Sequence, residues 1–167
     1  MAIVVRPATI DDVAQVLQFI EQKAAFDRAI GAFTGTVQTS VEKLRHTLFG
    51  AHPFAYALFA EQGDRAVGFA LYYFRYSSFA GQPSLWLDDL YVNADHRSQG
   101  VGAALMAHLA AIAHTHHCSH LAWTADARNL RGLSFYNRLG AVITQHQGTT
   151  CFLRWQPSPF TGNHYAG

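Results

Sequence analysis

The chain has 167 residues, half of them hydrophobic, 13% aromatic and 14% charged, with a formal net charge of +1. That length suits one domain with a substantial core, and the composition is that of a globular rather than a disordered chain. The near-neutral balance gives no electrostatic case for nucleic acid or an anionic membrane as partner. No basic segment followed by a long apolar stretch opens the sequence, and no run of 18 apolar residues occurs, so neither a secretory signal nor a membrane span is expected. Cys118 and Cys151 lack metal-ligand spacing; a reduced, cytoplasmic pair of thiols is the expectation.

In chain order, Ala2 to Arg6 is a short β-branched run that predicts a strand, ended by Pro7. Thr9 can cap the next helix, with Asp11 and Asp12 in its first turn, and Val13, Val16, Leu17, Ile20 and Ala24 recur on one face to about Asp27. Gly31 to Thr39 is a polar loop. Thr39 or Ser40 opens a second helix through Leu48, closed by Gly50. Phe54–Ala60 and Ala66–Tyr76 predict a hairpin about Gln62-Gly63-Asp64, and Leu85–Val92 is the next strand. A helix follows from Gly100 to about Thr115 with Val101, Leu105, Leu109 and Ile112 on one face. Next come a strand at His120–Ala125, a helix at Asn129–Leu139 ended by Gly140, and strands near Ala141–Gln147 and Thr149–Trp155. The Pro-, Gly- and Ser-rich segment 157–167 predicts a loose tail after a single domain over 1–156.

The chemistry concentrates where the strand Leu85–Val92 gives way to the helix at Gly100. A strand, a glycine-bearing loop and a helix N-terminus in that order make a place for phosphate, because the first helical N–H groups have no internal partner and the dipole favours negative charge. The spacing excludes a P-loop, which needs a lysine after the second glycine. It also excludes a dinucleotide fingerprint, since Leu105 stands where a third glycine belongs. What remains is Arg97-Ser98-Gln99-Gly100-Val101-Gly102-Ala103.

This Arg-x-x-Gly-x-Gly-Ala motif resembles the acetyl-CoA pyrophosphate loop of the GNAT N-acetyltransferase superfamily, and the order of elements from about Val4 to Trp155 is similar to that fold. The resemblance implies an α+β architecture: a mixed, mostly antiparallel sheet of about seven strands with four helices, strands 4 and 5 splayed around acetyl-CoA. Within the superfamily, Ile3–Thr9 (IVVRPAT), Phe49–Phe54 (FGAHPF), Val67–Phe74 (VGFALYYF), Leu87–Val92 (LDDLYV) and Phe135–Ala141 (FYNRLGA) look like the diamine (spermidine/spermine) N-acetyltransferases.

That resemblance implies acetyl transfer from acetyl-CoA to a primary amine of a small molecule: a diamine, a polyamine or a lysine-like amine. It places the coenzyme on Leu90, Tyr91 and Val92, on the loop Arg97–Ala103, and on Asn129 and Tyr136. It implies catalysis by Tyr136 at the thioester sulfur and by Asp88 through water, in a homodimer. Asp27, Asp88, Trp123 and Thr124 are the candidates for contact with the amine. Asn129 and Tyr136 lie seven apart, about 20° from eclipsed on a helix, so both face the same way. From spacing alone Tyr136 is equally a packed aromatic with a satisfied hydroxyl. Asp27 is alternatively a solvated helix-end charge, and Asp88 the partner of Arg97 or a lysine.

Alternation on a strand puts Trp86, Asp88, Leu90 and Val92 on one face and Leu87, Asp89 and Tyr91 on the other, so Asp88 and Asp89 cannot share a pocket without a bulge. The family has glutamate at the positions of Asp27 and Asp88. It has an acidic pair where His146-Gln147 stands here. The shorter and fewer acids lead us to expect a small diamine or lysine-like amine in preference to long polyamines. His114, His116, His117 and His120 cluster at a helix end, where the dipole favours them, and no metal site is expected. Two other readings share the fold: an acetyl-CoA-binding sensor without turnover, and an acetyltransferase for protein lysines or N-termini.

Overall fold

A computed structural model of the chain describes residues 2–158. The predicted tail falls largely on 159–167, outside the described residues. Seven strands and four helices alternate as β1 (Ile3–Pro7), α1 (Val13–Ala29), α2 (Val41–Phe49), β2 (Tyr56–Gln62), β3 (Arg65–Ser77), β4 (Gln82–Val92), α3 (Val101–Thr115), β5 (Leu121–Asp126), α4 (Leu130–Leu139), β6 (Val142–Gln147) and β7 (Thr150–Trp155). The strands form one sheet in the order β1-β2-β3-β4-β5-β7-β6. It is mixed: β4 and β5 pair in parallel at Leu85↔Leu121 and Trp86↔Ala122, while β1–β2, β2–β3, β5–β7 and β6–β7 are antiparallel. No helix among the described residues is long and apolar enough to cross a membrane.

The chain divides into two compact units. One comprises the residues up to Tyr73 with Asp88–Met106; the other comprises Phe74–Leu87 with the chain from Ala107 onward. In the first, a turn of 3-10 helix at Ile10–Asp12 precedes α1. Asp12 fastens it, accepting from the Thr9 amide at 2.7 Å and from Arg6 Nη1 at 2.7 Å. Arg6 also reaches Glu61 at 2.8 Å, and its guanidinium holds the Asp12 carboxyl down to about 2. Ser40 caps α2 by accepting from the Lys43 amide. Gly50 ends α2 in extended backbone, φ −74°, rather than in the left-handed conformation expected of a terminal glycine. Its reason is steric, because a Cβ there would lie 2.4 Å from the His46 carbonyl oxygen.

The apolar face of α1 is built from Val13, Val16 and Phe19, packed with Leu44 and Leu48 of α2 and Ala57, Phe59 and Phe69 of the hairpin. Phe19 stacks on Phe69 at 5.6 Å and meets Tyr91 edge-on at 6.2 Å. The predicted Leu17 and Ile20 are only partly buried at the edge of this cluster.

In the second unit, Leu85, Leu87, Leu109, Leu121, Trp123 and Leu153 are each at most 3% exposed. The six antiparallel pairs between β5 and β7 run from Leu121↔Trp155 to Asp126↔Thr150. Helix α4 starts on Asn129, whose side-chain oxygen accepts from the Gly132 amide at 3.0 Å. It ends on Gly140 at φ +89°, where the Ala141 amide closes back on the Tyr136 carbonyl at 3.1 Å. This is the left-handed terminus that glycine alone adopts without strain.

Candidate active site

The loop after β4 belongs to the first unit. A bulge sets the end of β4: Ala60 pairs with Gly68 and Glu61 with Ala66, so Val67 is the extra residue of β3, and its carbonyl accepts from the Asn93 amide at 3.0 Å. A 3-10 turn at Ala94–His96 follows. Arg97 folds back on this turn, donating from Nε to the Val92 carbonyl at 2.9 Å, with its guanidinium 5.1 Å over Phe26 and 5.6 Å from the Tyr91 ring. That accounts for Arg97 as a brace of the loop. Gln99 similarly donates to the Asp95 carbonyl at 2.8 Å.

Ser98 and Gly100 both take left-handed backbone, φ +61° and +88°. Ser98 is one of two non-glycine residues with positive φ among the described residues, a conformation that costs energy and persists where the surroundings enforce it. Left-handed residues alternating with right-handed ones can turn successive N–H groups to one side, and Ser98 and Gly100 precede the 15-residue helix α3. Helix and strand approach so closely that a Cβ on Gly68 would stand 2.7 Å from Val101 Cγ1 and 3.4 Å from the Tyr91 carbonyl oxygen.

The same unit holds a cavity of about 290 Å³. Ile20 and Ala24 of α1 and Phe33 and Val37 of the following loop give it apolar walls, Gln38 and Thr39 a polar edge, and Lys23, Asp27 and Asp89 its charge. The loop is pinned by Arg28, which lies 5.1 Å over the Phe33 ring and donates to the Gly35 carbonyl, and by Lys43 Nζ donating to the Gln38 carbonyl at 2.7 Å. Asp27 lies inside the last turns of α1 and is salt-bridged to Lys23 one turn earlier, so it is not a solvated end charge. Asp89 Oδ1 lies 4.0 Å from Lys23 Nζ. Burial raises the Asp89 carboxyl to about 6, with Lys23 pulling it down and Asp88 and Asp27 pushing it up.

Asp89 and Tyr91, on one face of β4, therefore point to α1, and the exposed Asp88 lies on the other. The carboxylate that joins Asp27 is Asp89 rather than Asp88. Of the residues lining this cavity only Asp27 was a site candidate from sequence; Lys23, Phe33 and Asp89 were not. A lysine four residues before Asp27 and the shared face of Asp89 and Tyr91 were the available signals.

In the second unit, Tyr136 is 8% exposed, with its ring 4.9 Å from Trp123 and 5.3 Å from Phe135. Asn129 caps the helix that carries Tyr136, and the cap uses only its Oδ1. Asp126 anchors the preceding turn. It accepts from Arg128 and Thr149, and its carboxyl is held well below the ordinary range mainly by Arg128.

Trp123 is 1% exposed and its Nε1 has no hydrogen-bond partner; it packs in the core against Tyr136, and the exposed neighbour is Thr124. The histidines behave separately. His116 packs on Phe74 at 4.8 Å, and His120 meets Ser119 Oγ at 2.8 Å and is pushed down to about 4, chiefly by burial. Among the described residues no group of three or more His, Cys, Asp or Glu stands in a metal-binding arrangement.

Comparison with known proteins gives the class to which this sheet order and its β4–loop–α3 segment belong, the acyltransferases. Residues 22–141 match the model of the acetyltransferase (GNAT) family, so the chain belongs to that family and is an N-acetyltransferase. It is 33% identical over 159 residues to a thialysine N-epsilon-acetyltransferase of Bos taurus, covering 90% of this chain and 91% of that one. It is 32% identical to a spermidine/spermine N(1)-acetyltransferase-like protein 1 of Homo sapiens, over 89% of this chain and 22% of the longer relative. A crystal structure of the paia N-acetyltransferase of Thermoplasma acidophilum in complex with coenzyme A shares the fold with a TM-score of 0.73 at 16% identity, over 94% of this chain and all of that one.

Proposed function

We propose that the chain transfers the acetyl group of acetyl-CoA to a primary amine of a small molecule that keeps a second cationic group. The observation that carries this reading is the cavity in which Asp27 and Asp89 converge from α1 and β4 between apolar walls. Two carboxylates beside aliphatic and aromatic side chains suit an alkyl chain ending in an ammonium, and suit neither a neutral nor an anionic acceptor. The names of the similar enzymes, thialysine and spermidine/spermine acetyltransferases, support the same class. The loop Arg97–Ala103 suits the coenzyme's pyrophosphate through backbone N–H groups, supported by the positive φ of Ser98 and Gly100.

An alkyl ammonium has a pKa near ~10.4, so about one molecule in a thousand or fewer is the neutral nucleophile at pH 7. Direct transfer asks the protein to take that proton, to hold nitrogen against the thioester carbon, and to return a proton to sulfur as the C–S bond breaks. Asp88, exposed and open to water, is assigned the first task through a water molecule. Backbone N–H groups of Leu90–Val92 are assigned the oxyanion, and Tyr136 the departing thiolate. Asp27 and Asp89 hold the amine's distal end. A homodimer of one catalytic domain over 1–156, in a reducing compartment, accords with the resemblance and with the buried free thiols of Cys118 and Cys151.

The test is a panel of diamines, polyamines, lysine analogues, aminoglycosides and peptides with acetyl-CoA, following thiol release. Diamines or lysine analogues are expected to turn over with a KM that Asp27→Asn raises several-fold. Exclusive turnover of peptides would overturn the small-amine assignment, and coenzyme binding without turnover of any amine would leave a sensor.

A further inference from the structure

The cavity that Asp27 and Asp89 enclose already contains a cation. Lys23 Nζ is bonded to Asp27 Oδ2 and stands 4.0 Å from Asp89 Oδ1; the three side chains are 23%, 24% and 22% exposed, so they are only partly screened by solvent. Without Lys23 the two carboxylates would carry a charge of −2 and suit two ammonium groups of a ligand. With Lys23 ionised the sum is −1, which one ammonium neutralises. A second ligand cation would have to displace Lys23 or sit beside it. Displacement is opposed because the lysine is tethered one helical turn from Asp27, which gives it a high effective concentration against any free amine. Sitting beside it sets two positive charges within several ångströms between the walls of Ile20, Phe33 and Val37. Nearby Arg28 and Lys43 do not relieve this, since both are positive and both are committed to carbonyls of the adjoining loop.

We propose that Lys23 is the specificity-determining residue of the amine cavity: its ammonium takes the place of a second substrate cation, so the chain accepts an amine with one cationic group beyond the reacting nitrogen and disfavours amines with two or more. The inference rests on the cavity's being the amine site, as proposed above, and it assigns the chain's selectivity to an internal counter-ion.

The experiment compares kcat/KM for butane-1,4-diamine, with one distal ammonium, and for spermidine, with two, at pH 8, where Asp89 is ionised. The wild-type protein, Lys23→Met, Lys23→Gln, Lys23→Arg and Asp27→Asn are each assayed with both amines. The spermidine-to-diamine ratio is taken within each preparation, so a loss of folded protein cancels. Removing one charge at this range is expected to raise the ratio roughly tenfold in Lys23→Met and Lys23→Gln and to leave it unchanged in Lys23→Arg. An unchanged ratio in both neutral variants, with the diamine KM still raised by Asp27→Asn, overturns the role of Lys23 alone. Diamine and spermidine constants both indifferent to Asp27→Asn overturn the cavity as amine site, and the inference with it. A wild-type ratio already favouring spermidine by tenfold overturns the inference without recourse to any variant.

Discussion

Single side chains separate catalysis from stability in this protein. Tyr136 packs against Trp123 and Phe135, and phenylalanine would preserve both ring contacts. Tyr136→Phe should therefore fold and bind coenzyme as the parent does, with kcat reduced by the ~10²–10⁴-fold that a general acid contributes. Turnover near the parent rate in steady-state assays would make Tyr136 a packing residue only. Asp89 makes the opposite contribution to stability. Its carboxyl, ordinarily near 3.8, titrates at about 6 in the folded protein, because burial penalises the charge. The folded state then takes up the proton first as pH falls, so this group opposes folding above about pH 6, and the opposition fades between pH 6 and 4. Asp89→Asn removes a cost on the order of 1–3 kcal/mol at pH 7. Its melting temperature should exceed the parent's at pH 7 and converge with it toward pH 4, while the KM for the diamine rises. A lower melting temperature at pH 7 would mean that the attraction to Lys23 outweighs burial. A residue that weakens the fold and sharpens the amine site is the compromise expected at a functional position.

At the scale of elements, the approach of α3 to β3 and β4 is the point of least tolerance. Gly68→Ala would drive a Cβ to 2.7 Å from Val101 Cγ1, at the helix end that the coenzyme loop feeds. Overpacking of that kind costs typically ~1–3 kcal/mol, and here it displaces the first turn of α3. Chemical denaturation should show that loss, and calorimetry should show weaker coenzyme binding as well. Destabilisation with unchanged coenzyme affinity would show the loop to be insulated from the helix. Most elements were legible because each carries its own local signal: the Ser40 cap, the 3.6-residue stripe of α1, the Gly140 terminus, the alternation on β4. The bulge at Val67 was not, since it arises from pairing between two strands whose separate sequences look regular. The family was legible in its motifs, as at Arg97–Ala103 and Phe135–Ala141, both inside the matched residues 22–141. Which face of β4 meets α1 was not legible. Asp88 and Asp89 are chemically identical in sequence, and only the packing of Tyr91 on Phe19 shows that Asp89 is the one turned to Lys23 and Asp27. For Trp123 the sequence leaves two readings, because an aromatic on a strand can face a ligand or the core; it is 1% exposed.

For the molecule as a whole, coenzyme binding and folding are one equilibrium. A ligand that binds only the folded state stabilises it by about 2.7 kcal/mol at a hundred times its Kd. In a chain of this length each kcal/mol is worth roughly 2–4 °C in melting temperature, so saturating acetyl-CoA should raise the Tm by roughly 5–10 °C. The loop assignment predicts how that shift is lost. Gly100 sits at φ +88° with open space around its missing Cβ, the nearest atom being Ile3 Cδ1 at 3.8 Å. The cost of Gly100→Val is therefore conformational rather than steric: a β-branched residue resists left-handed backbone, and the loop relaxes away from the arrangement that turns its N–H groups to one anion. The variant's own Tm should fall modestly, while the acetyl-CoA-induced shift should shrink to a few degrees or vanish. Lys23→Met, which touches only the amine cavity, should retain the full shift. An undiminished shift in Gly100→Val, measured by differential scanning fluorimetry across a titration of acetyl-CoA, would take the pyrophosphate off this loop. The same measurement with free coenzyme A separates the two ends of the ligand: if the loop holds the pyrophosphate, loss of the acetyl group should leave most of the parent's shift in place.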